Sequence, residues 1–192
     1  MIKRVLGLLV LMTLGVSLIA VLPGSAGAGA QQYRPDAWIK LCGLSNGCKI
    51  NPPPHPWRGR NVYNTTGSRQ SVSVRMEDGE GVRFWLAIES DGTEADTIYI
   101  NGCNGTRRFR VNKVQIGLYK NPNAGAVKIT EKFKAGTANF DFPAGTDKIV
   151  YLTLNIIAPT TAEGVTYRCP ITIHSDNQPI MKDTLRATMT TY

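Results

Sequence analysis

Residues 82–89 read VRFWLAIE and are followed by Ser90-Asp91-Gly92. Val82, Phe84, Leu86 and Ile88 fall on one face of this stretch. Arg83, Trp85, Ala87 and Glu89 fall on the other. A side-chain period of two is the mark of a β-strand that turns one face to a core, and Asp-Gly supplies the turn that ends it.

The same alternation spreads outward in both directions. Upstream, SVSVRM (71–76) carries Val72, Val74 and Met76 on one face. Downstream, ADTIYINGC (95–103) and RFRVNKVQIG (108–117) continue it, the latter with a slip of register near Asn112-Lys113 that reads as a bulge. AVKITEKFK (126–134) reads as a strand with Val127, Ile129 and Phe133 inward and Lys128, Lys132 and Lys134 outward. ANFDF (138–142), a Pro143-Ala144-Gly145 turn and DKIVYLTLNII (147–157) follow, the last with Val150, Leu152, Leu154 and Ile156 on one face. GVTYRCPITI (164–173) and DTLRATM (183–189) close the series. No helical period stands out beyond the N-terminus. About eight short strands separated by Gly, Pro and Asp turns predict an all-β, antiparallel sandwich with one wet face per strand. Pro170 lacks an N–H, so its strand is expected at an edge or at a bulge.

The N-terminus reads differently. Lys3 and Arg4 precede an uncharged run from Val5 to Leu22, a Pro23-Gly24 break and Ala28-Gly29-Ala30. This is the layout of a secretory signal peptide over residues 1–30, cleaved before Gln31; the rival reading is a retained membrane anchor. Residues 31–58 read as an irregular N-terminal arm holding a small Cys loop (CGLSNGC) and a Pro-rich segment (NPPPHPW), and residues 59–192 as the sandwich. Four cysteines in an exported chain imply two disulfides. Loop length favours Cys42–Cys48, which leaves Cys103–Cys169.

FWLAIESDGTEADTIYINGC (84–103), FPAGTDKIVYLTLNIIAPTTAEGVTYRC (142–169) and KDTLRATM (182–189) resemble an immunoglobulin-like module of secreted bacterial proteins, of the cell-adhesion-related (CARDB-like) type. The shared features are the Ser90-Asp91-Gly92 turn, the Pro143-Ala144-Gly145 turn before a long strand, and Ala158 to Gly164 before the last hairpin. RPDAWIK (34–40) and GRNVYNTTG (59–67) are similar to the leaders of such modules. The resemblance covers roughly residues 34–190. It implies an immunoglobulin-like β-sandwich and a role in extracellular scaffolding or adhesion, and fold alone does not license a function.

No GxSxG, HExxH, P-loop or GxGxxG motif occurs, and the chain has two histidines. His174-Ser175-Asp176 are adjacent on a strand, so their side chains alternate faces and cannot make a triad by themselves. The expectation is therefore no catalytic residues, no enzyme activity and no cofactor. Asp91, Glu94 and Asp96 share one connection and carry oxygen ligands suited to calcium; a plain polar hairpin is the preferred reading, and no metal site is assigned.

Two candidate binding surfaces remain. Trp85, on the face opposite Phe84 and Leu86, joins Trp57 and Tyr63 as a possible platform for a sugar ring, unless the arm packs over Trp85 and buries it. The chain carries a formal net charge of +8, or +6 without Lys3 and Arg4. Its clustered cations, Arg107, Arg108, Arg110 and Lys113 with Lys128, Lys132 and Lys134, form a basic patch if their strands are neighbours. Edge protection by lysine is the alternative. The partner expected is thus an extracellular protein, a glycan or an anionic polymer. Nucleic acid is unlikely for an exported chain, and no membrane span remains after cleavage. Asn64-Thr65-Thr66 and Asn104-Gly105-Thr106 match the N-glycosylation pattern.

Overall fold

The computed structural model describes residues 32–44, 56–106, 109–117, 126–158, 160 and 164–192. The expected signal peptide, Cys48 and the Pro-rich run up to His55 lie outside them. The described chain forms β1 (Pro35–Leu44), β2 (Ser71–Met76), β3 (Gly81–Ser90), β4 (Asp96–Asn101), β5 (Arg110–Ile116), β6 (Val127–Lys128), α1 (Thr130–Ala135), β7 (Ala138–Phe142), β8 (Val150–Ile157), β9 (Thr166–Ser175) and β10 (Lys182–Thr191). Two five-stranded sheets, β1-β3-β8-β5-β6 and β2-β10-β9-β4-β7, face each other as an all-β sandwich. All pairings are antiparallel except β2 on β10, which is parallel.

The alternating residues build the core between the sheets. Val82, Phe84, Leu86 and Ile88 from β3 meet Val150, Leu152, Leu154 and Ile156 from β8. Ile98, Ile100, Ile171, Ile173, Leu185, Ala187 and Met189 come from the other sheet, and all are buried. The bulge expected near Asn112 is present: the β5–β8 register shifts between Val111 and Lys113.

Three sequence expectations change. Residues 35–44, read as irregular arm, are a ten-residue strand paired to β3. Ala37, Ile39 and Leu41 enter the core while Asp36, Trp38 and Lys40 on the opposite face are buried too. The stretch does carry a period of two, but it is short and runs straight into the Cys loop and the Pro-rich segment, beside which it reads as part of an irregular arm. Residues 126–134 are not one strand: β6 is two residues long and α1 follows. Ile129 and Phe133 are four apart, a spacing that serves a helix face as well as a strand face. Phe133 N–H donates to Ile129 O at 2.8 Å, and Gly136 closes the helix in the left-handed conformation at φ 70°. Pro170 lies in β9, which is an interior strand. The β4–β9 ladder ends at Asn101–Thr172, however, and Arg186, opposite Pro170 on β10, donates its N–H to Gln70 instead. The missing donor of Pro170 therefore faces a side where no strand remains.

Cys103–Cys169 is formed, with a Cα–Cα distance of 5.1 Å, just beyond the last β4–β9 rung. Cys42 is also disulfide-bonded; its expected partner Cys48 is outside the described residues. No helix among them is long and apolar enough to cross a membrane.

Candidate functional site on the outer face of the first sheet

Strand register lays the outward residues of β1, β3 and β8 in rows. Asp36 lies opposite Glu89. Trp38 lies opposite Ala87, and Ala87 opposite Tyr151. Lys40 lies opposite Trp85, and Trp85 opposite Thr153. The returning chain bridges the edge of β1, with Ile39 and Arg58 exchanging backbone hydrogen bonds of 2.8 Å.

That bridge brings the Trp57 ring to this face. It meets Trp38 edge-on at 6.2 Å and Tyr151 at 6.4 Å between centroids. Lys40 Nζ lies 4.7 Å from the Trp57 ring and the Arg60 guanidinium 4.8 Å from the Trp38 ring. Trp38, Trp57, Arg60, Ile149 and Tyr151 line a cleft of about 240 Å³. Trp57, Tyr151 and Ile149 are half-buried and Arg60 is exposed, so the cleft opens to solvent between aromatic walls.

Of the three aromatics expected to contact a ligand, Trp57 lies in this cleft. Trp85 is 4% exposed and packs edge-on against Tyr151 at 6.5 Å, so it offers no open face to a ligand and supports the cleft from below. Tyr63 is elsewhere: its hydroxyl bonds Asn61 Oδ1 (3.1 Å) and Asp91, and its ring carries the Arg34 guanidinium at 3.7 Å. Sequence reasoning misses Tyr151, Ile149 and Arg60. Tyr151 does point outward from its strand, but only the sheet order sets it beside Trp38 and Trp57.

One row along, Asp36, Glu89 and Asp91 converge, with carboxylate oxygens all within 4.8 Å of one another. Asp36 is fully buried; its Oδ2 accepts the Asn61 N–H at 3.0 Å. Burial, reinforced by Asp183, Asp91 and Glu89, pushes Asp36 up to about 7. Burial and then the neighbouring Asp91 push Glu89 to about 7 as well. The Asp91–Glu94–Asp96 connection does not gather in this way. Asp96 is buried and accepts from Ser175 Oγ (3.0 Å) and Asn177 Nδ2 (3.2 Å), while Glu94 is exposed.

The basic residues are divided. Arg107 and Arg108 lie outside the described residues. Arg110 and Lys113 are exposed on β5, and Lys128 is exposed on the adjoining edge strand β6, opposite Gln115. Lys132 and Lys134 belong to α1 rather than to that strand, and Lys134 pairs with Glu131 at 3.5 Å. His174 stacks on Tyr99 at 5.5 Å, and Ser175 Oγ accepts the Gln178 N–H while donating to Asp96.

No protein-family model matches the chain, and no curated protein is similar to it. Among solved structures it is similar to a family 123 glycoside hydrolase from Clostridium perfringens, at 12% identity over 64% of this chain and 23% of that one, with a TM-score of 0.41. It is also similar to the N-terminal domain of PorA, at 12% identity over 80% of this chain and 96% of that one, with a TM-score of 0.40. A PapD-like domain of human CEP192 matches at 15% identity over 63% and 78%, with a TM-score of 0.33. The chain thus spans less than a quarter of the hydrolase, and likenesses this slight carry no argument about function.

Proposed function

We propose that the chain is a non-enzymatic, exported interaction module that takes a sugar ring in the cleft of Trp38, Trp57, Arg60, Ile149 and Tyr151. The observation that carries this reading is the cleft itself: aromatic walls from three separate segments around about 240 Å³, room for one ring. Aromatic side chains offer flat apolar faces with a polar edge, which suits the two-sided chemistry of a sugar. Arg60 adds a planar fork of donors for hydroxyls or a uronate. Export agrees with the signal-like N-terminus and with the Cys103–Cys169 bridge, since such bonds persist in oxidising compartments. The resemblance to CARDB-like modules points to the same extracellular setting.

The test is a glycan array, followed by titration of the best hit against Trp57→Ala and Tyr151→Ala. Saturable binding that weakens at least ~10-fold in both variants, with the bound glycan recovered unchanged, supports the reading. A blank array, retention of affinity in both variants, or conversion of the glycan overturns it.

A further inference from the structure

We propose that Asp36, Glu89 and Asp91 form a binding site for a hard divalent cation of the calcium type, which ties β1, the end of β3 and the 61–63 segment together. Three carboxylates on two strands and the following turn bring oxygens within 4.8 Å of one another, the scale of a shared coordination sphere. Asp36 and Glu89 are directly opposed across the β1–β3 ladder. Like charges in that position repel; Arg60 offsets part of this at Glu89, and a cation shared by the carboxylates would offset the rest.

A second observation points to the same place. Asp36 is 0% exposed, and its Oδ1 has no hydrogen-bond partner. A buried, unpaired carboxylate oxygen is costly to leave so, and an ion supplies what it lacks. Two further oxygens stand at the rim. The Tyr63 hydroxyl lies between Asp91 and Asn61 Oδ1, and Asn61 is itself held by Asp36 through its N–H. Every donor in the set is oxygen, which selects calcium or magnesium over zinc or copper. Carboxylates contributed by three separate positions, with hydroxyl and amide oxygens at the rim, suit the larger and less regular sphere of calcium.

The competing occupant is a proton held among the carboxyls. The two separate in a thermal-unfolding series on the chelator-stripped protein. If calcium binds with a Kd in the ~10⁻⁴–10⁻³ M range of extracellular modules, ~10 mM calcium raises Tm by roughly 3–10 °C. The shift is lost in Asp91→Asn and Glu89→Gln, the first at an exposed and the second at a half-buried side chain, and kept in Glu94→Gln. Terbium emission sensitised by Tyr63 and displaced by calcium reports binding without reference to stability. No shift beyond a matched-ionic-strength sodium control together with no calcium-displaceable terbium emission overturns the proposal. So does a calcium response that survives in both Asp91→Asn and Glu89→Gln.

Discussion

Asp36 and Glu89 carry a consequence that needs no ligand. Both titrate near 7 in the folded protein against ordinary values of 3.8 and 4.5. Between those limits the folded state holds protons that the unfolded chain has released. Their contribution is therefore fully present below about 4 and lost as pH rises through about 7. Asp183, raised by burial, acts in the same direction, while His174, lowered by burial, acts against it. Arg60 beside Glu89 softens the effect without reversing it. In chelator, the urea midpoint is expected to be higher at pH 5 than at pH 8, and Glu89→Gln should narrow the difference. A midpoint that climbs from pH 5 to pH 8 in wild type contradicts this account. Burial of this kind is invisible in the sequence. DAWIKL shows an acid next to apolar residues, but nothing local says that residue 61 returns to cover it.

Among the elements, α1 shows where alternation misleads. Helix and strand both place residues 129 and 133 on a common face, and the deciding features are the helix-closing Gly136 and the space under Gly102. A Cβ on Gly102 would stand 1.8 Å from the Phe133 ring, so the backbone of the β4 exit lies directly on that ring. Phe133 is fully buried, and Phe133→Ala is expected to destabilise by about 3–5 kcal/mol, through lost burial and an unfilled cavity. Lys132→Gln and Lys134→Gln should lie within about 0.5 kcal/mol of wild type, since an exposed pair such as Lys134–Glu131 contributes little. Chemical denaturation of these variants checks both; a small effect of Phe133→Ala would mean that the helix is not part of the cooperative core. The edge-protection reading keeps Lys128, which sits on the short edge strand β6, and loses the two lysines of the helix.

The Cys103–Cys169 bridge acts on the entire sandwich. It closes a separation of 66 residues that includes β5 to β8 and crosses both sheets. In the chain-entropy model such a closure contributes about 4 kcal/mol. Cys103→Ala/Cys169→Ala is expected to lose about that much in a denaturant titration, and a loss below ~1 kcal/mol would show that the ladder and core already restrain the loop. A second clasp joins the sheets: buried Asp183 on β10 accepts from Ala37 N at 3.0 Å and from Gln70 Nε2 at 2.7 Å, binding the second sheet to β1 of the first.

Local rules are enough for the class of the fold, the inward face of most strands and the long disulfide: a period of two, turn residues at strand ends, and loop lengths between cysteines. Sheet order, the parallel β2–β10 pairing, and the meeting of Trp38, Trp57 and Tyr151 come from packing alone. So does the gathering of Asp36, Glu89 and Asp91, of which only Asp91 belongs to the 91–96 connection that reads in the sequence as a plain polar hairpin. The physical reason is the winding of the chain. Most consecutive strands switch sheets, so residues near in sequence are sent to opposite layers, and each cluster on the outer face is assembled from segments that lie far apart along the chain.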